Sequence, residues 1–547
     1  MLIKLAGGTL YDPSQDWNGV IRDVFVRDGR IVDDPGPGAR FDAVHDVRGM
    51  AVMAGGIDIH SHIAGGNVST ARLLQPEQLR MREDPGELPP VDRACFTAAE
   101  IGAHYARMGY TTVVEPAVLP CNARDAHAQM MDIPIIDKAG LAILGNDAFL
   151  LRMLRDGEGQ SLVNDYVAWT IEATQCLALK CINAGGGAAF KRNARAFSLD
   201  DEVPTYGVTS RQILQALHRA AVALGLPHPL HVHCNNLGLP GSIESVLATM
   251  DAAEGAPMHL AHVQFYGYGR EGPLGLSSAA ARVIGGLEKH PNITVDVGQV
   301  LFGQTVTISG DVIAQYSHRS VANPRKWVIW DGECEGGGGV VPMRYRPQSF
   351  VNSLQWAIGL ELFLLAPDPS RVFFTTDHPN GAPFTRYPEL IRLLMDRDFR
   401  NACLETLHPE ARAMTLLGDI KREFSLYEVT LMTRTAPARL LGLADRGTLR
   451  PGSKADIAAY NPSRDAARMF GRCALLLKDG VLVAREGELV SRRPGATISS
   501  ATPYNGAIEP RLRRHFDTFG TIALANYKVA REEFSEAHRV LDVRACA

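Results

Sequence analysis

The chain has 547 residues, is 46% hydrophobic and 21% charged, and carries a formal net charge of −4. That is a globular composition, and its weak negative balance excludes a basic nucleic-acid surface. The longest apolar stretch, LQWAIGLELFLLA, contains Glu361 and is too short to span a bilayer, while the nine cysteines form no C-x-x-C pair and argue against an iron–sulfur site or a disulfide framework.

The opening MLIKLAGGTLYDP turns to glycine and proline too soon for a signal peptide, so a cytoplasmic location is expected. Residues 1–52 hold short strand-like runs; in VIRDVFVRDGRIV a D-G pair separates two of them. Eight short apolar runs follow: GIDIHSH (56–62), YTTVVEPA (110–117), GLAILGN (140–146), LALKCINA (177–184), PLHVHCNN (229–236), MHLAHVQF (258–265), NITVDVGQV (292–300) and RVFFTTDHPNG (371–381). Between them lie segments such as CFTAAEIGAHYARMG and SRQILQALHRAAVALG, apolar at helical spacing and closed by glycine. This alternation predicts an α/β fold, a (β/α)8 TIM-like barrel over residues 53–439. The glycine run ECEGGGGVV at 333–341 is expected to be a mobile loop, and AGGGAAF lacks the lysine of a phosphate loop. Around GTLRPGSKADIAAYN and CALLLKDGVLVAREG the strand-like pattern returns, so 1–52 and 440–500 are expected to form one small β-sandwich from both chain ends. Residues 501–547 are expected to form a helical tail.

In such a barrel the chemistry gathers where strands end. His60 and His62 stand two apart, so a strand would point both rings to one face. His233 ends the fifth run, His262 lies in the sixth and Asp377 ends the eighth. Unrelated core histidines have no reason to fall repeatedly at one rim, whereas imidazole is a common zinc ligand. Lys180 sits in the otherwise apolar CLALKCI. Burial is costly for an ammonium. Two readings follow: a buried salt bridge to a carboxylate such as Glu115, or a neutral amine that takes up CO₂ as a carbamate and bridges two metals. Four imidazoles exceed what one hydrolytic zinc with an open position takes. Two metals explain the number: His60 and His62 on one, His233 and His262 on the other, carbamylated Lys180 between, and a water between them made more acidic. Asp377 would bind the first metal and act as general base and then acid; as an alternative it is a turn residue or helix cap. His231 and His259 read as barrel-core or supporting residues. Asn235, Asn236, His378 and Asn380 are candidate substrate contacts.

These residues resemble the metal-dependent amidohydrolase superfamily, in its carbamylated-lysine branch, and GSKADIAAY looks like that family's return into its sandwich domain. The longer motifs HVHCNNLGLPGS, DVGQVLFGQT and QWAIGLELFLLAPDPSRVFFTTDHPNGAPFTRYPELI resemble the formylmethanofuran dehydrogenase A subunits and their bacterial counterparts in formyltransferase/hydrolase complexes. The resemblance implies a two-zinc amidohydrolase that cleaves the N-formyl amide of formylmethanofuran or formylmethylofuran to formate and free amine. It also implies partners: a formyltransferase subunit together with the other members of such a complex, with neither nucleic acid nor membrane. Two alternatives remain at this point: a dihydropyrimidinase-like or N-acyl-amino-acid amidohydrolase, and a catalytically dead scaffold protein.

Overall fold

The computed structural model describes residues 1–79, 93–331, 337–534 and 538–542. Each of the eight apolar runs contains a strand: Gly56–Asp58, Tyr110–Val118, Asp137–Ile143, Ala178–Ile182, Leu230–His233, Met258–Leu260, Ile293–Asp296 and Val372–Phe373. Each pairs in parallel with the next in chain order. A parallel bridge between Ser61 and His378 joins the first strand's extension to that of the eighth. This is the expected (β/α)8 barrel. The strands are short because the chain leaves the sheet early, and the residues just past each strand form the rim of the site.

The connecting helices follow from their sequences. Ala98–Arg107 begins at a capping box, in which Thr97 accepts from the Glu100 N–H and the Glu100 side chain accepts from the Thr97 N–H. Ser210–Ala223 begins the same way with Thr209 and Gln212. Both stop at a glycine with positive φ, Gly109 at 81° and Gly225 at 61°. All of LQWAIGLELFLLA but its final Ala366 lies in the buried helix Phe350–Leu365. Its Glu361 is satisfied by Ser278, by the Thr415 hydroxyl and by the Leu416 N–H. Among the described residues no helix is long and apolar enough to cross a membrane.

A second sheet draws on both ends of the chain. Its order runs 488–489, 481–485, 475–478, 457–460, 51–54, 2–12, 17–27, 30–32, with 43–46 also on 2–12. The two ends meet where Ile457–Tyr460 pairs antiparallel with Ala51–Ala54. The D-G pairs at 28–29 and 479–480 both have two successive positive φ angles, as a two-residue hairpin turn requires. Leu5, Val24, Val52, Ile457 and Leu477 form the core beneath this sheet.

Two segments depart from the expectation. The glycine-rich 337–341 is strand, not loop: Gly337–Tyr345 is the central strand of a three-stranded antiparallel sheet with Gly303–Ser309 and Val328–Asp331. Trp330 lies where a Cβ on Gly338 would stand, so the glycine lets the indole cross the strand. Residues 333–336 lie outside the described residues. The tail holds the helices Glu509–Phe519 and Leu524–Tyr527 and the strand His538–Asp542, while residues 497–500, expected in the sandwich, join the barrel sheet instead. Thr497–Ala501 pairs in parallel with the start of the third barrel strand, and His538–Asp542 pairs with it in turn. This strand fits below the fourth, whose pairing with the third begins only at Leu141.

Candidate active site

The barrel interior is polar at mid-height. Lys180, His231, His259 and Thr294 are register partners across four adjacent strands, so they form one layer. Lys180, His231 and His259 are buried, as are His60 and Asp296 beside them. A barrel interior is ordinarily filled by branched apolar residues. A buried polar layer is tolerable only when its members satisfy one another.

Above this layer lies the rim. His60 and His62 follow the first strand and direct their Nε2 atoms at Asp377, whose Oδ1 lies 3.0 Å and 3.4 Å away. Lys180 Nζ stands 3.3 Å from His60 Nε2. Across the site His233 Nδ1 faces His262 Nε2 at 3.1 Å. The backbone is bent to achieve this: His262 and Asp377 both have positive φ, 36° and 51°. Such outliers persist only where the surroundings hold them. The six residues named from spacing are therefore brought to one buried place.

The rings of His60, His62 and His233 are oriented from behind, and His262 is held through its backbone N–H. Glu115 accepts from His62 Nδ1 at 3.0 Å and from the N–H groups of Ile63, Ala64 and Ala117. Among the described residues no ion pair joins Glu115 to Lys180, so the salt bridge considered from the sequence does not form. Asp311 takes His233 Nε2 at 3.1 Å and also caps the helix Val312–His318. Asp296 takes His60 Nδ1 at 3.0 Å, His259 Nε2 at 3.1 Å and the His262 N–H at 2.7 Å. Burial brings Lys180 down to about 8 against the pull of Asp377, Asp296 and Glu115.

Sequence reasoning missed Asp296, Asp311 and the orienting role of Glu115. Asp296 carried the signal used for the others, a polar residue at a barrel-strand end in NITVDVG. Asp311 carried none, because it arrives on an inserted sheet and helix.

The candidate substrate contacts divide. Asn380 lines the cavity over the rim, with His62, Lys180, His233, His262, Asp377 and the side chains of Thr307, Gln315, Tyr345 and Gln355. Its Oδ1 accepts from the Ile308 N–H at 2.6 Å. Asn235 donates to Ser210, and Asn236 donates to Ser245 and accepts from the Phe197 N–H, so these amides hold loops together. His378 packs on Phe96 and Phe384 and accepts from the Phe384 N–H.

The donor set fits metal. One ligand atom each from His60, His262 and Asp377 lie mutually within 4.8 Å. Among the described residues Asp377 Oδ1 and His262 Nδ1 are buried without a hydrogen bond. Imidazole nitrogens and a carboxylate are what a divalent cation of borderline softness takes.

Comparison with known proteins agrees with the geometry. An amidohydrolase family model matches residues 43–484. The chain is 48% identical over its full length, and that of the relative, to the A component of the formyltransferase/hydrolase complex Fhc of Methylorubrum extorquens. It is 35% identical to the protein FwdA of Methanocaldococcus jannaschii, covering 99% of each chain. Among solved structures it matches a chain of the formyltransferase/hydrolase complex FhcABCD of Methylorubrum extorquens in complex with methylofuran, with a TM-score of 0.95, 47% identity and full coverage of both chains.

Proposed function

The chain belongs to the amidohydrolase family, and on that premise we propose that it is the hydrolase subunit of a formyltransferase/hydrolase complex. It cleaves the N-formyl amide of formylmethylofuran, or of the related formylmethanofuran, to formate and the free amine. The observation that carries this reading is the convergence of His60, His62, Lys180, His233 and His262 on Asp377 in a chain of full-length likeness to the A component of the Fhc complex. Its partners are the formyltransferase subunit, which makes the formyl-cofactor, and the remaining members of the complex.

His60, His62, Asp377, His233, His262 and a carbamylated Lys180 would hold two zinc ions, whose chemistry when bound would be to polarise the formyl carbonyl and make a water in the cavity acidic. The remaining work falls to the chain. Asp377 takes a proton from the water as it attacks the formyl carbon. It then gives that proton to the departing amine, which would otherwise leave as an unstable anion. Glu115 and Asp311 hold the Nδ1–H of His62 and the Nε2–H of His233, which leaves the opposite nitrogens with their lone pairs turned into the site. Lys180 is buried, and among the described residues it forms no ion pair with a carboxylate; burial lowers its pKa to about 8, which favours the neutral amine that takes up CO₂.

The test is formate release by the purified complex from formylmethylofuran, with a cyclic imide and an N-acyl-amino acid as comparison substrates and zinc counted in the same sample. The reading requires formate release and about two zinc ions per chain. Turnover of only the comparison substrates, or zinc-free protein from a chelator-free preparation, contradicts it.

A further inference from the structure

A line of imidazoles runs through the barrel from floor to rim. His228 lies in the loop before the fifth strand, at the end of the barrel opposite the site. Its Nδ1 is 3.2 Å from the carbonyl oxygen of Leu440, the last residue of the helix Ala436–Leu440. Its Nε2 is 3.0 Å from His231 Nδ1. His231 Nε2 is 3.0 Å from His60 Nδ1. All three rings are fully buried.

A carbonyl oxygen only accepts, so His228 Nδ1 carries a proton, and a neutral ring then has its lone pair on Nε2. That lone pair requires a donor, which makes His231 Nδ1 the protonated nitrogen and His231 Nε2 the acceptor. The acceptor in turn requires Nδ1–H on His60. The far end agrees independently: Asp296 Oδ2 also only accepts and lies 3.0 Å from the same His60 Nδ1. On the other side of the ring Lys180 Nζ, a donor, faces His60 Nε2 at 3.3 Å, while Asp377 Oδ1, 3.0 Å from the same nitrogen, makes no hydrogen bond among the described residues. In the reverse polarity two lone pairs would face each other between His228 and Leu440, and the His231 N–H would meet the His60 N–H that Asp296 holds.

We propose that the Leu440 carbonyl, acting through His228 and His231, fixes the tautomer of His60, so that the Nε2 lone pair is always the one presented to the site. His228 and His231 are then positioning residues, and the barrel floor sets the ligand state of its rim. The inference rests on reading His60 as a metal ligand but not on the identity of the substrate.

The test is nitrogen NMR of the full-length, metal-stripped protein with isotope-labelled histidines, together with zinc titration. All three rings should show protonated Nδ1 and unprotonated Nε2. His228→Leu removes the acceptor for His231, so the His231 and His60 signals should become mixtures and zinc affinity should fall by about 10–100-fold. His228→Gln, whose amide can donate to Leu440 and accept from His231, should restore most of both. Protonated Nε2 on His231 in the unaltered protein overturns the proposal. So does His228→Leu with unchanged His60 signals and zinc affinity. Should the leucine variant fail to fold, the unaltered spectrum and the glutamine variant decide. Formate release enters none of these readouts, so a wrong substrate assignment would leave them standing.

Discussion

Gly298 lies directly behind His262: a Cβ on the glycine would stand 2.4 Å from the histidine's Cβ and 3.4 Å from that of Asp377. Its φ of +68° would also strain any L side chain. The glycine therefore sets how closely the ends of the sixth and eighth strands approach. Gly298→Ala should cost about 1–3 kcal/mol in chemical denaturation through overpacking. It should also depress hydrolysis more than its stability loss explains, because His262 and Asp377 must separate. Unchanged zinc content and rate in the variant would show that the rim tolerates that shift.

Lys180 is predicted to be essential for the metal pair. Lys180→Ala should lower zinc below the unaltered protein's content, and a short carboxylic acid added to the buffer should restore part of it by standing in for the carbamate. Direct mass measurement of the gently ionised protein should find one CO₂ adduct, absent in the variant. A fully metallated, active Lys180→Ala protein would remove the bridge from the account.

Much of this arrangement was legible in the sequence. The eight apolar runs mark the barrel strands because strands buried on both faces must be apolar, and the polar residues interrupting their ends mark the rim. The D-G pairs at 28–29 and 479–480 mark hairpins because few other residues accept two positive φ angles. What was not legible depends on partners distant in the chain. Gly337–Tyr345 reads as a flexible glycine run until Gly303–Ser309 pairs with it and Trp330 crosses Gly338. The strand Thr497–Ala501 has no local pattern that assigns it to the barrel rather than to the second sheet; its pairing with Lys138 and Ala139 places it in the barrel. Asn235 and Asn236 carry the polar, post-strand signature of substrate contacts, yet their amides go to Ser210 and Ser245.

The barrel and the second sheet are locked by a buried ion cluster. Asp137 Oδ2 lies 2.7 Å from Arg446 and 3.3 Å from both Lys454 and Lys478. Burial pushes its pKa up, but Lys478, Arg446 and Lys454 together hold it far below the usual carboxylate range. Asp137→Asn would leave those cations short of a counter-charge. It should cost about 3–5 kcal/mol in denaturant unfolding. A cost near zero would mean that water or a rearranged Asp456 compensates.

His127 should give the protein an acid-sensitive term away from the site. Burial pushes it down to about 4 from the ordinary 6.5, although its Nε2 donates to the Thr174 carbonyl. Among the described residues its buried Nδ1 has no partner, so protonation leaves a charged N–H unsatisfied. The unfolded chain binds this proton near pH 6.5 and the folded chain only near pH 4. The stabilisation is therefore complete above 6.5 and is lost as pH falls to 4, on the order of 3 kcal/mol in total. His127→Gln keeps a donor for Thr174 and should flatten the fall in denaturant stability across that window. An identical slope in the variant would place the sensitivity elsewhere.

The account turns on Asp377 as the group that moves the proton. Asp377→Asn keeps the shape and the hydrogen-bonding size of the side chain but cannot carry the proton. Formate release from formylmethylofuran should be measured on the purified complex with this one change, together with folding and zinc content. We expect a folded protein that retains most of its zinc and hydrolyses roughly 10²–10⁴-fold more slowly. A variant that hydrolyses at near the unaltered rate would make Asp377 a turn residue and refute the mechanism.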